Sequence, residues 1–199
     1  MFYKVFCEDD YEIINLVNRD DYDYLFELDG SSKKDVWKDF EVTFEAADKG
    51  RKKRHSDFPW YNGAALILRE NVAAKMKDFF ERHGELLPIH SSDAQRLFVF
   101  KCKTIDALDE EKSEIMRLKS GKIILVKKFE FKDIDNIHAD IFRLNYRGSP
   151  TFVSEKFINL YKEFNFVGLK FSKYSETMFV KVENKMITIP LSEDIGGNK

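Results

Sequence analysis

The sequence predicts an α+β protein: a mixed or antiparallel sheet with two or three helices packed against it. Three observations lead there. Short runs alternate apolar and polar residues, as in "FEVTFE", where Phe40, Val42 and Phe44 interleave with Glu41, Thr43 and Glu45. Helical spacing of apolar residues is confined to two stretches. The 199-residue chain also holds 19 Phe against 9 Gly and 4 Pro, a composition that favours short loops around an aromatic core.

Taken in order, "MFYKVFC" reads as an opening strand. "NRDDYDYLFELDG" fits a short helix or a strand equally well and ends on a turn signal at Asp29–Gly30. "FEVTFE" is the next strand. In "RENVAAKMKDFFERHG", Val72, Met76, Phe79 and Phe80 fall on one helical face, and Gly84 is placed to end the helix. "ELLPI", "RLFVFKC" and, beyond the charged "DALDEEKSEIMRLKSG", "KIILVKKFEF" read as strands. "ADIFRLNY" is a strand and "RGSP" a turn. "SEKFINLYKEF" is a second helix, with Ser154 as N-cap and Phe157, Leu160, Tyr161 and Phe164 on one stripe. Burying those four contributes roughly 1.5–3 kcal/mol each as an upper bound, enough to dock the helix on a sheet. "VGLKFSKY" is a further strand, and "TMFVKVENKMITIPL" a hairpin across Asn184–Lys185.

Length and composition suit a single domain, 1–199, that buries a real core. Its charge is unevenly spread. Residues 1–48, the strand-rich N-terminal part, hold 14 acidic and 5 basic side chains, a net of −9, and residues 49–54 then add five positive charges. The second feature lies in "KGRKKRHSDFPWYNG", a basic loop over residues 49–62 with aromatics just beyond, which is how single-stranded nucleic acid is often gripped. The net charge of −2 for the whole chain and the acidic segment just before the run argue against nucleic acid and for neutralisation within the molecule. Contact through Arg51–Arg54 stands as the alternative reading. Cys7 and Cys102 are far apart in apolar runs, as buried thiols of a reducing compartment would be. No leader-like segment or long apolar span is visible, so the expectation is a cytoplasmic protein with no membrane contact.

Motifs for catalysis or cofactors are missing: no nucleophile elbow, phosphate loop, dinucleotide fingerprint or His-Glu-x-x-His occurs. No cofactor, metal or catalytic residue is therefore assigned. His138 and Asp140 are paired in "NIHADIF", but i and i+2 on an extended segment share a face without sharing a metal. His83 beside Gly84 suits a helix C-terminus, and "DALDEE" (Asp106 to Glu111) reads as a solvated acidic turn. Trp37 and Trp60 stand in polar surroundings, either as interface anchors or packed over a core edge.

Three blocks, "DFPWYNGAALILRENVAAKMKDFFERHGELLPI", "VFKCKTIDALDEEKSEI" and "ADIFRLNYRGSPTFVSEKFINLYKEFNFVGLKF", resemble in order and spacing the type-eleven immunity proteins of bacterial polymorphic toxin systems. The resemblance runs over about residues 57–171, and the last block is its most specific part. One departure is Arg69 where the family pattern favours Ser before Glu70, which weakens an N-cap. The resemblance implies a non-enzymatic protein that binds and neutralises a cognate toxin domain in the cytoplasm. It also implies that many such toxins are nucleases with basic clefts. Charge then nominates Asp20, Asp21 and Asp23 with Tyr22 and Tyr24 as partner-binding residues, and Trp37 and Trp60 as further anchors.

Overall fold

The computed structural model describes residues 1–22, 32–45, 47–48, 51–61, 65–174, 181–182 and 185–186. Its first half contains β1 (Phe2–Cys7), β2 (Ile14–Leu16), β3 (Glu41–Phe44), β4 (Ala47–Asp48), β5 (Arg51–Lys52), β6 (Trp60–Tyr61), β7 (Ala65–Arg69), α1 (Glu70–Lys75), α2 (Lys77–His83), β8 (Gly84–Ser91) and β9 (Arg96–Cys102). The second half adds β10 (Thr104–Ile105), β11 (Glu114–Arg117), β12 (Ile123–Lys128), a 3-10 turn at Ile134–Asn136, β13 (Ile141–Leu144), β14 (Thr151–Ser154), α3 (Glu155–Glu163), β15 (Leu169–Lys173) and the short pair β16 (Lys181–Val182) and β17 (Lys185–Met186). The α+β reading holds broadly, with sheet dominating and short helices.

Six strands form one sheet in the order β2-β3-β8-β9-β7-β6, with β3 and β8 parallel and the other ladders antiparallel. Its two ends meet. Ile13 bridges Trp60 in parallel, and the Trp60 amide donates to the Glu12 carbonyl at 3.1 Å. The sheet therefore closes into a small barrel, which leaves no long free edge. Strand alternation decides what fills it. Ile14, Val42, Ala65, Ile67, Leu87, Ile89, Leu97 and Val99 point inward as one buried cluster. Leu66, Leu68 and Phe100 point outward, into a second core shared with the helices.

One end of the barrel is stopped by a charged side chain. Arg69 has the inward parity of Ala65 and Ile67 and is buried. Its Nε donates to the Ser56 carbonyl at 2.7 Å, its terminal nitrogens to Glu12 Oε2 at 2.6 Å and to Gln95, and its guanidinium lies 4.7 Å from the Phe44 ring centre. This explains the departure at position 69. No side chain caps α1, because the residue in the cap position is committed to the barrel.

The second sheet has the order β10-β13-β14-β1-β15, with β10 parallel to β13 and the rest antiparallel. The N-terminal strand sits inside it, pairing Lys4 with Phe152 on one side and Val5 with Phe171 on the other. Val5, Ile141, Val153 and Leu169 face the barrel and helices, where Phe58, Phe80 and Phe157 are fully buried. The opposite face carries Phe2, Phe142 and Phe152, covered by Val126 and Phe129. No buried side-chain nitrogen or oxygen among the described residues lacks a hydrogen-bond partner, Lys4 included.

Several local expectations change. The first helix breaks at Met76 into α1 and α2, although Val72, Met76, Phe79 and Phe80 are all buried as its periodicity required. Gly84 ends α2 in an extended conformation, φ 171°, and needs to lack a side chain because a Cβ there would come 2.1 Å from the Lys101 carbonyl oxygen. Ser154 is at the N-cap of α3, but its hydroxyl donates to Asp140 Oδ1 at 2.8 Å and caps no amide. Part of the basic stretch is paired: β5 pairs antiparallel with β4, and Arg54 bridges Tyr11 and stacks on its ring at 4.4 Å. Arg51, Lys52 and Arg54 remain exposed. The Asp29–Gly30 turn lies outside the described residues, as does Asn184, though β16 and β17 pair on either side of it. Among the described residues no helix is long and apolar enough to cross a membrane.

Candidate functional site

The open end of the barrel, opposite Arg69, is built by the segments that leave β2 and enter β3. The Val17 amide donates to the Glu41 carbonyl at 3.2 Å, so residues 17–22 run beside 36–41. Asn18 starts a tight turn: its side-chain oxygen accepts from the Asp20 amide at 3.0 Å and its carbonyl from the Asp21 amide at 3.2 Å. Asp21 is buried and accepts from Lys38 Nζ at 3.0 Å, which pins the two segments together. Trp37 is half-buried, donates from Nε1 to the Pro88 carbonyl at 2.7 Å, and lies 5.5 Å from the Phe40 ring. Tyr22 stands edge-on to Tyr61 at 6.4 Å, and burial, with Tyr22 nearby, pushes the Tyr61 hydroxyl pKa up.

Three apolar side chains on these segments are exposed. Val17 is 53% exposed, Tyr22 39% and Val36 66%, three of the few large apolar side chains exposed among the described residues. A side chain left in water here gains nothing for folding, whereas covering it by a partner recovers its burial energy. Asp20 and Asp35 are exposed beside them and make no ion pair among the described residues, but Arg19 and Lys34 are exposed next to those two acids. Four of the fourteen acidic side chains of residues 1–48 have partners within the fold: Glu12 on Arg69, Asp21 on Lys38, Asp39 beside His90 at 3.1 Å and Asp9 on Lys170.

Of the nominated residues, Asp20, Asp21, Tyr22 and Trp37 are brought together at this mouth, with Asp21 and Trp37 supporting its frame. Trp60 is elsewhere, half-buried on the outer side of the barrel. Asp23 and Tyr24 lie outside the described residues. Val17 and Val36 were not foreseen. Their signal was an isolated branched residue in a polar stretch, "NLVNRD" and "KKDVWKD".

The other sequence pairs resolve differently. Asp140 meets His83 Nε2 at 3.4 Å, not His138, and accepts from Ser154 and from Lys156 Nζ at 2.8 Å. Burial opposes its ionisation, but the Lys156 and Ser154 hydrogen bonds outweigh burial and hold its pKa below the usual carboxylate value. The carboxylates of "DALDEE" pair with lysines and arginine: Asp106 with Lys132, Asp109 with Lys112, Glu110 with Arg117. Both cysteines are free, and burial pushes the Cys102 thiol up to about 12. Among the described residues no group of three or more His, Cys, Asp or Glu is placed to hold a metal.

Fold and site together describe an α+β protein with exposed Val17, Tyr22 and Val36 on the segments at one mouth of its barrel. Residues 87–176 match the model of the immunity protein family Imm11, so the resemblance to the type-eleven immunity proteins is borne out over that stretch. The match takes in β8 from Leu87 to the end of β15, and of the first block of the resemblance, residues 57–89, it takes in only the last three. No curated protein matches the chain.

Proposed function

We propose that this chain is an immunity protein that binds a cognate toxin domain and neutralises it by protein–protein contact, without chemistry of its own. The observation that carries this is the family match over residues 87–176. The toxin-facing surface on this reading is the barrel mouth, with Val17, Tyr22 and Val36 as the apolar centre and Asp20 and Asp35 on the rim. Support comes from its composition: exposed apolar side chains with an aromatic anchor, held on a rigid frame, are what the centre of a tight interface needs. Protection must precede toxin action, and nanomolar binding corresponds to about −12 kcal/mol, a value that desolvated anchors supply better than partly offset rim charges.

The test is co-expression of the toxin domain with this chain in a bacterium that lacks both. Survival with the wild-type chain, lost when Tyr22 and Val36 are both changed to Ser in a protein of unchanged melting temperature, supports the reading. Survival without the chain's physical association with the toxin in pull-down would contradict it. Retention on a DNA column at physiological salt, abolished by changing Arg51, Lys52 and Arg54 to Ser, would favour the nucleic-acid alternative.

A further inference from the structure

A cavity of about 570 Å³ lies where the end of α2 meets β10 and the 3-10 turn, a size in the range of small-molecule sites. β10 is a two-residue strand at the end of the second sheet, paired with β13. Alternate residues of an extended segment share a side, which brings Lys103, Ile105 and Ala107 to the cavity together. Ile137 and Ala139, from the segment leading into β13, supply the rest of its apolar wall. Ala107 is buried, and Ile105, Ile137 and Ala139 are half-buried.

Two cations line this cavity next to each other. Lys103 Nζ donates to the Arg82 carbonyl at 3.1 Å, and the Lys103 amide to the His83 carbonyl at 2.9 Å. Arg82 uses only its Nε, on the Asp78 carbonyl at 2.9 Å. Both side chains thus bond carbonyls alone, and neither makes an ion pair among the described residues. The charges around them are otherwise occupied. Asp140 holds Lys156 at 2.8 Å and meets His83, and Lys132 pairs at 3.3 Å with Asp106, whose side chain is 82% exposed at the rim. Asp133, exposed and in the left-handed region at φ 44°, is the one lining acid without a cation among the described residues, and it accepts from Asn136. Two neighbouring positive charges beside an apolar wall are left for an anion to satisfy, while the rim acids oppose a second negative charge.

We propose that this cavity binds a small monocarboxylic acid, with the carboxylate on Arg82 and Lys103 and the apolar body along Ile105, Ala107, Ile137 and Ala139. A guanidinium takes a carboxylate through two parallel hydrogen bonds, and an ammonium adds a point charge. Asp106 and Asp133 repel a dianion such as phosphate and a polyanion such as nucleic acid. None of these residues belongs to the barrel mouth, so the site stands or falls independently of the toxin reading.

Isothermal titration of the full chain with octanoate tests it, with octanamide and inorganic phosphate as comparators. Octanoate is expected to bind with a Kd below about 1 mM, octanamide about tenfold more weakly or worse, and phosphate not measurably. Arg82→Gln and Lys103→Gln, at exposed positions and with unchanged melting temperature, should each weaken octanoate by about tenfold. Asp133→Asn keeps the acceptor for Asn136 and suits a left-handed backbone, and it should tighten octanoate, which a merely misfolded variant would not do. Binding should shift the amide resonances of Ala107 and Ala139. A chain that binds no octanoate overturns the proposal, as does one that binds octanamide equally well or phosphate better. Resonance shifts centred away from this cavity overturn it too.

Discussion

Arg69 shows at the scale of one residue how a departure from a family pattern becomes structure. It occupies the cap position of α1 but serves the barrel, where Glu12, Gln95 and the Ser56 carbonyl converge on it. Arg69→Met keeps the stem and removes the guanidinium, so that Glu12 Oε2 keeps the Ser56 amide at 2.9 Å and His55 at 3.7 Å but loses its arginine. The expected cost is about 3 kcal/mol, from a carboxylate that has lost its main cation at a partly buried site, read as a lower midpoint in urea unfolding. Glu12→Gln in the same background should recover part of the loss. His83 offers a pH test. Burial lowers its pKa although Asp140 opposes the shift. A histidine that resists protonation when folded contributes stability above its unfolded value, near 6.5, and that stability is lost as pH falls below it. The depressed Asp140 acts at lower pH, its contribution fading below about pH 4. His83→Gln should therefore flatten the decline in stability between about pH 6.5 and 5 and leave the steeper acid limb near pH 4 in place. An unchanged slope in the upper window would assign it to other groups.

At the scale of elements, α3 separates what pattern reveals from what contacts decide. Its apolar stripe was legible: Phe157 and Tyr161 are buried and Leu160 and Phe164 half-buried. Its cap was not, because the Ser154 hydroxyl finds Asp140, fourteen residues earlier in sequence, before any helix amide. Ser154→Asp distinguishes the two roles. A true N-cap accepts Asp with little loss, whereas a carboxylate set against Asp140 should destabilise by about 1–2 kcal/mol at neutral pH. A thermal melt equal to wild type would restore the capping role. Strands flanked by alternation, such as β1, β3 and β9, were readable from sequence. β7 and β14 were not: "ALILR" and "TFVS" are buried on both faces or nearly so, and read as lead-ins to the helices they precede. β11 was hidden in a charged segment, since only Ile115 and Met116 mark it. Gly168 explains part of the Gly-Leu signature. Its φ is 107°, and a Cβ there would come 1.9 Å from Ser56 Oγ, so this loop closes on the "SDF" segment only with glycine.

At the scale of the whole molecule, two sheets share one core, and the family-matched stretch depends on what lies outside it. Between β14 and β15 sits β1, and Asp57 accepts from the Val167 amide at 3.0 Å while its own amide donates to the Val167 carbonyl. The matched half is thus completed by the N-terminal half, which also supplies the barrel mouth. The charge pattern that first drew attention to residues 20–24 was only partly informative, because sequence does not show that Asp21 is consumed by Lys38. Tyr22 was legible in that pattern, whereas the exposed Val17 and Val36 stand out once the barrel is closed. The most direct test of the account is the binding kinetics of the cognate toxin domain with wild-type chain and with Tyr22→Ala, by surface-immobilised chain at several salt concentrations. The account predicts nanomolar binding by wild type and dissociation at least tenfold faster for Tyr22→Ala, with association rates nearly equal and only weakly dependent on salt, because the mouth's rim charges offset one another. Equal dissociation rates for the two proteins would contradict it and place the toxin on another surface.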